Sequence, residues 1–135
     1  MLLRLIPQRG GDGTVHGIIA MNDTGSEMLS LFDTDMPYLG NLQGYTGWPG
    51  QVTIQNANGT VNVYPTILAQ VRLVRDDDSP WSDWIDEHAI IKPVVPGLPR
   101  LSGSGIRDSL YFATAPGNHV LAVSTTKGGL TSLLL

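Results

Sequence analysis

The stretch Ala20-Met21-Asn22-Asp23-Thr24-Gly25-Ser26 decides how this chain is interpreted. It ends an apolar run, and the pattern predicts a strand over residues 14–21 that is buried on both faces and leads into a tight turn. Gly25 can adopt a positive φ, and Asp, Thr and Ser side chains bond to nearby backbone groups in such turns. On these grounds alone, Asp23 is typical of a turn residue whose carboxylate accepts from backbone N–H groups.

Composition favours a single all-β domain. The chain has 135 residues, of which 41% are apolar and 15% charged, so disorder is not expected. Sixteen Gly and nine Pro are spread along it, which favours many short strands joined by turns. The net charge of −4 gives no electrostatic basis for binding nucleic acid or an anionic membrane.

Several other classes are excluded or disfavoured. The absence of Cys excludes disulfides and thiolate catalysis. Residues 1–6 are too short for the core of a signal peptide and are interrupted by Arg4. No run approaches the roughly 20 apolar residues of a membrane span, so the expected location is intracellular.

Alternating polar and apolar residues predict further strands. Strands are expected over 2–6, 26–32, 51–54, 60–64 and 66–74. Asn58-Gly59 is typical of a two-residue hairpin turn between 51–54 and 60–64. The glycine-rich segment Tyr45–Gly50 is predicted to form the tip of a longer hairpin that begins at Gln43.

The second half of the chain is predicted to be less regular. Ser79-Pro80 is typical of a helix start and predicts a short helix over 81–88. Three prolines then keep 92–100 extended. A helix is expected over 106–113 and a strand over 118–125. The apolar ends at 2–6 and 132–135 are predicted to be exposed edge strands that would pair with another chain.

Four features, in this order along the chain, resemble the retropepsin family, the small aspartic proteases of retroviruses, retrotransposons and their domesticated relatives. An apolar strand leads into Asp23–Ser26, a glycine-rich segment follows at Tyr45–Gly50, and a hairpin turns at Asn58-Gly59. Near the C-terminus, Leu101-Ser102-Gly103 with Ile106-Arg107 resembles the turn that enters the single helix of the family. The likeness spans most of the chain, although only Asp-Thr-Gly-Ser is specific.

The sequence also departs from the family pattern at three places. Asn22 stands where an apolar residue usually precedes the catalytic Asp, and Ser102 interrupts the expected apolar pair before Gly103. Residues 75–100 correspond to an insertion of about 25 residues relative to compact members of the family.

The resemblance implies a single-lobe retropepsin-like barrel with a flap and an aspartic endopeptidase activity. Asp23 would be the catalytic carboxylate, with Thr24, Gly25 and Ser26 shaping its loop. The substrate-binding flap would comprise Thr46, Gly47, Trp48, Pro49 and Gly50 and would fold over a peptide or protein substrate. The insertion would extend the dimer contact or cover the cleft.

The chemistry implied by the resemblance needs two carboxylates that share one proton. The chain holds one Asp-Thr-Gly and is too short for a second lobe, and Asp33-Thr34-Asp35 lacks the glycine and is too close in sequence. A homodimer in which the two Asp23 residues meet on a two-fold axis would complete the site. Thr24 would then lock the two loops together across the axis.

Two alternatives remain open at this point. One is a catalytically silent protein of the same fold that dimerises or binds peptides. The other is an unrelated β-barrel or sandwich in which Asp23 only shapes a turn.

No cofactor or metal site is predicted from the sequence. The acidic window Asp76–Glu87 has Pro80 and Trp81 where a calcium loop needs an oxygen donor and Gly. His16, His88 and His119 lack the spacing of zinc ligands.

Overall fold

The computed structural model describes residues 1–114, 116–117 and 120–134, and this part of the chain is mainly β. The prediction of an all-β domain is confirmed in its coarser form, since strands predominate and two α-helices are present in the described residues. In these ranges the elements are β1 (Leu2–Leu5), β2 (Val15–Gly17), β3 (Ala20–Met21), β4 (Leu29–Phe32), β5 (Gly50–Gln55), β6 (Val61–Arg72), β7 (Ile85–Lys92), β8 (Arg100–Leu101), α1 (Ser104–Ser109), β9 (Tyr111–Thr114), β10 (Leu121–Ser124) and α2 (Lys127–Leu134), with 3-10 helices at Pro7–Arg9 and Asp33–Tyr38.

The main sheet has the order β2-β1-β6-β7-β4, and its longest strand is β6. β6 pairs with β7 along one edge, while β1 and β5 pair with successive parts of its other edge. Alternate residues of these strands face one core, as their period-2 pattern requires. The most deeply buried members are Leu3, Leu5, Leu29, Leu31, Leu39, Ile67, Ala69, Val71 and Ala89.

Two parallel strand pairs hold the segment around Asp23. β3, which ends just before the loop, runs parallel to β8, and β4, which follows the loop, runs parallel to β7. Both strands that flank the loop are therefore paired with strands from residues 85–101, so the second half of the chain fixes its position.

A separate two-stranded sheet is formed by β9 and β10, which pair antiparallel, and α2 packs against both of them. Within the described residues, no helix is long and apolar enough to cross a membrane.

The prediction of one buried strand over 14–21 is wrong. β2 and β3 are separate, and Ile19 between them has 86% of its surface exposed. Ile18 is the buried member of this run, and its N–H donates to the Met1 carbonyl. The apolar run thus contributes β2 to the main sheet and β3 to a separate two-stranded sheet with β8.

The predicted helix over 81–88 is also wrong. Ser79 closes a tight turn, in which Arg75 N–H donates to the Ser79 carbonyl and Asp77 accepts from Ser79. The chain then enters β7, whose pairing with β6 outweighs the local helix preference. Since β7 lies between β6 and β4, the predicted insertion at 75–100 includes an integral strand of the sheet.

The two ends of the chain are not exposed edge strands. β1 is paired on both sides, with β2 and β6, and Leu3 and Leu5 are buried. The segment Ser132–Leu135 was predicted as a strand, but it is helical through Leu134, in α2, and Leu135 lies outside the described residues.

Two further predictions are met in part. The expected helix at 106–113 begins earlier and is shorter, as α1, and gives way to β9 at Tyr111. The strand expected over 118–125 is present as β10, whereas Asn118 and His119 lie outside the described residues.

Candidate active site

Asp23 lies in the turn after β3, with its side chain half-buried. Its Oδ1 accepts the Gly25 N–H at 2.9 Å, and its carbonyl accepts the Ser26 N–H at 3.2 Å. Thr24 and Gly25 are exposed at the apex, and the Ser26 hydroxyl donates to the Met28 carbonyl. The turn role expected for the Asp23 carboxylate is therefore present, and the bond to Gly25 fixes the orientation of the group.

Ser102, which follows β8, supports the loop from the protein interior. Its side chain is fully buried, and its Oγ accepts the backbone N–H of Asp23 at 3.1 Å. Its own backbone N–H donates to the Met21 carbonyl at 2.9 Å. One residue earlier, Leu101 N–H donates to the Ser30 hydroxyl at 2.6 Å. β8 is thereby bonded to both segments that flank Asp23.

The two departures from the retropepsin pattern within the loop region face each other. Ser102 Oγ lies 3.5 Å from Asn22 Oδ1, at the limit of a hydrogen bond. Two polar side chains thus occupy contacting positions at which the resemblance implies apolar ones. Each change is matched by the other, so neither leaves a polar group facing an apolar wall.

Arg107 of α1 binds both ends of the loop. Its Nη1 donates to the Asp23 carbonyl at 2.6 Å and to Ser102 Oγ at 3.2 Å, and its Nη2 donates to the Ser26 carbonyl. Hydrogen bonds from a guanidinium are among the stronger ones in proteins. The loop is therefore held in shape by a charged side chain from 81 to 84 residues further along.

Glu87 of β7 positions α1, and hence Arg107. The side chain is buried, and its two oxygens accept the N–H groups of Ile106 at 2.8 Å and Gly105 at 3.2 Å. A Cβ at Gly103 would overlap a Glu87 oxygen and would lie 2.7 Å from the Leu29 backbone nitrogen, so only glycine fits there. Burial raises the pKa of the Glu87 carboxyl above its ordinary value, and the two N–H donors offset part of that effect.

A second buried carboxylate, Asp35, fixes the start of β8. Arg100 forms a two-point contact with it, at 2.8 Å from Nε and 2.7 Å from Nη2, and His16 Nε2 lies at 3.2 Å. Burial raises the pKa of Asp35, but Arg100, the Phe32 N–H and His16 lower it by more, so the net pKa is below the ordinary value. Asp35 is therefore a structural ion-pair partner.

Two cavities meet at Asp23. One has a volume of about 610 Å³ and the other about 520 Å³, and their walls share Asp23, Ser30, Lys92 and Leu101. Both volumes are of the size that holds several side chains of a peptide. Asp23 thus occupies the middle of a two-part cleft.

The hairpin of β5 and β6 lines both cavities. Asn56, Asn62 and Tyr64 face the larger one, and residues 52–55 face the smaller one. Its turn lies at residues 56–60, where Asn56 N–H donates to the Thr60 carbonyl and Gly59 has a φ of 82°. The predicted hairpin is confirmed, but its turn is not of the predicted two-residue type, because Gly59 N–H donates to the Asn56 carbonyl and Asn58 lacks the positive φ that such a turn needs.

The predicted hairpin tip at Tyr45–Gly50 is wrong. Tyr45 is buried, and its hydroxyl donates to the Leu68 carbonyl, while Gly47 lies against the Tyr45 ring. Trp48 packs edge-on against that ring, with 6.1 Å between centroids. Gly50 begins β5. The flap role given to Thr46, Gly47, Trp48, Pro49 and Gly50 rested on that tip, and these residues lie at the base of the hairpin, outside the walls of the two cavities.

Motifs and spacing in the sequence do not identify several of the residues that form the site. Ser102 stands out in the sequence only as a departure from the family pattern, and Glu87, Ser30 and Lys92 belong to no motif. Each acts across strands that are distant in sequence, which residue spacing does not reveal.

Few carboxylates other than Asp23 are placed to take part in chemistry in the cleft. Asp33 is exposed and accepts the Thr34 N–H, and Asp35 is committed to Arg100, so neither lines the cavities with Asp23. Glu27, which is exposed, lines the smaller cavity. Within the part of the chain that the structure describes, no group of three or more His, Asp or Glu side chains could hold a metal ion.

No family model, no curated protein and no solved structure matches the chain.

Proposed function

We propose that this protein is a retropepsin-like aspartic endopeptidase that is active as a homodimer. The observation that carries this proposal is the position of Asp23, at the junction of two cavities that the β5–β6 hairpin lines. A peptide lying along both cavities would pass its backbone over the Asp23 carboxylate. The loop is bonded to β8 and α1, so it would keep its geometry when a peptide binds.

The reaction needs a second carboxylate close to the first. One carboxylate would take a proton from a water molecule, which attacks the peptide carbonyl, while the protonated partner would donate to the carbonyl oxygen. The two groups would titrate as a pair. The chain has one Asp-Thr-Gly, and the second Asp23 would come from a second copy.

The surface beside the loop supports pairing with another copy. Ile19, which lies just before the loop, exposes 86% of its surface, and Leu121 of β10 exposes 45%. A further groove of about 250 Å³ connects Ile19 with Phe112 and Leu121 of the β9–β10 sheet. Exposed apolar side chains in this number next to a functional loop are typical of a surface that a partner covers. Since β1 is paired within its own sheet, we place the dimer contact here instead of at the chain ends.

The hairpin is assigned the role of the flap. Its residues 55–60 are exposed, and its inner side faces the cavities. Closure over a bound peptide would exclude water from the cleft and strengthen the electrostatic interactions there.

Cleavage of a denatured protein at mildly acidic pH tests the proposal. We expect cleavage that is blocked by pepstatin-type inhibitors and reduced at least about a thousandfold in Asp23→Asn. The Asn side chain can still accept from Gly25 N–H, so the loop should fold. Asp33→Asn is a matched control, since Asp33 is exposed and lines neither cavity, and it should leave the rate unchanged.

Other outcomes point to the alternatives. A stable dimer that binds peptides without cleaving them would indicate a silent protein of this fold. A stable monomer without activity would indicate that Asp23 only shapes the turn. If a monomer cleaves the substrate and Glu27→Gln abolishes that cleavage, the second carboxylate would be Glu27 of the same chain.

A further inference from the structure

A lysine stands at the junction of the two cavities. Lys92 is the last residue of β7 and lines both of them together with Asp23. It is opposite Phe32 in the parallel pairing with β4, and its Nζ lies 5.5 Å from the centre of the Tyr64 ring. Lys92 thus belongs to the wall of the cleft in which the scissile bond would lie.

Lys92 has no ion-pair partner among the described residues. The salt bridges found there both involve Asp35, whose partners are Arg100 and His16. The face of Tyr64 stabilises the ammonium in part, but an ammonium has three donors. Asp23 lines the same cavities but forms no salt bridge with Lys92, and a half-buried cation that is not ion-paired favours an anionic group supplied from outside the chain.

The cavity walls around Lys92 indicate which side chains of a substrate would fit next to an acidic one. The larger cavity is walled mostly by apolar residues, among them Met21, Pro93, Val95 and Leu98. The guanidinium of Arg107 is occupied by backbone carbonyls and that of Arg100 by Asp35, which leaves Lys92 as the cation of the cavity walls.

We propose that Lys92 selects peptides that carry an acidic side chain directly beside the bond that Asp23 cleaves. This inference rests on the proposed function and names its substrate class: an Asp or Glu paired with an apolar residue across the bond. In the homodimer, each protomer would contribute one Lys92, so an acidic residue would be accepted on either side. The two Asp23 side chains would share one proton and carry one negative charge, whereas the two Lys92 side chains would carry two positive charges. The summed charge of these four side chains would therefore be positive.

Peptide binding to the Asp23→Asn protein tests this selectivity separately from catalysis. Fluorescein-labelled octapeptide libraries would have Leu at one position of the central pair and Glu, Gln or Lys at the other, in both orders, with the remaining positions randomised. We expect Glu to bind about five- to tenfold more tightly than Gln, as for a half-buried ion pair, and Lys to bind more weakly than Gln. The preference for Glu should decrease as salt is added.

Two lysine variants in the Asp23→Asn background complete the design. Lys92→Met should bind the Glu and Gln libraries equally, whereas Lys127→Met, which changes a residue of α2 that lines neither cavity, should keep the preference. Three results would overturn the inference. The Asp23→Asn protein that retains Lys92 could bind the Glu and Gln libraries equally, the preference for Glu could survive Lys92→Met, or no library could bind. Cleavage by the wild-type protein without a preference for Glu would refute the role of Lys92 and leave the protease proposal standing.

Discussion

The interior support of the Asp23 loop and the β5–β6 hairpin on the other side of the cleft differ in how they are held. Beneath the loop, Ser102, Arg107 and Glu87 make buried or partly buried hydrogen bonds that together join β3, β7, β8 and α1. The outer part of the hairpin is exposed over residues 55–61 and is bonded to its own two strands. Local opening should therefore cost little in the hairpin and much in the support. A fixed carboxylate under a movable cover is an arrangement suited to a peptide that must enter and leave.

Replacement of Arg107 should have the largest effect on this contrast. Arg107→Met removes the charged donor from the partly buried Asp23 and Ser26 carbonyls and leaves the Asp23 carbonyl with only the Ser26 N–H, and we expect a loss of about 3 kcal/mol in the free energy of unfolding. Denaturant titration measures it. Arg9→Met, at an exposed residue, is the control and should change stability by less than about 0.5 kcal/mol. Similar values for the two variants would show that the support is not rigid.

The buried carboxyl of Glu87 should make stability depend on pH. Because its pKa is raised in the folded protein, the folded state holds a proton that the unfolded state has released, so stability falls as pH rises above about 4.5. Asp35 acts in the opposite direction at lower pH, since its pKa is lowered. Glu87→Gln should remove a slope of at most about 1.4 kcal/mol per pH unit. Unfolding free energies measured between pH 4.5 and 7 would contradict this account if both proteins had the same slope.

Removal of the Ser102 hydroxyl should have a moderate effect confined to the loop. Ser102→Ala leaves the Asp23 N–H without its acceptor, at a cost of about 1 kcal/mol. Hydrogen exchange of that amide should become faster while exchange in β6 stays as it was. Asn22→Ala removes only the 3.5 Å contact and serves as the comparison variant. An unchanged exchange rate at Asp23 would remove Ser102 from the support.

A change in the hairpin turn should have the smallest effect on stability. Gly59 has a φ of 82°, which disfavours a side chain, so Gly59→Ala should disturb the turn locally. We expect a global loss of less than about 1 kcal/mol because few contacts of the core depend on this turn. The KM for peptide cleavage should increase more than kcat decreases. A large loss of global stability would mean that the hairpin is part of the rigid body.

Local patterns predicted the parts of the fold that depend on neighbours in sequence. The alternation at 51–54 and 60–64 with Asn58-Gly59 gave the β5–β6 hairpin, and the motif at Asp23 gave the loop. Pairing partners distant in sequence decided the rest. Residues 85–88, expected to be helical, are part of β7 because they pair with β6. The Leu-rich C-terminal segment has an ambiguous periodicity, and it is helical where it packs against β9 and β10. Ser102 and Arg107 reach Asp23 across about 80 residues, which no spacing rule anticipates.

The distance between the two Asp23 carboxylates in a structure of the protein determined at mildly acidic pH is the most direct test of the account. A homodimer in which these carboxylates lie within about 3 Å of each other, close enough to share a proton, is the expected result. A monomer at concentrations well above those of the cleavage assay, or a dimer that holds the two Asp23 side chains far apart, would contradict it.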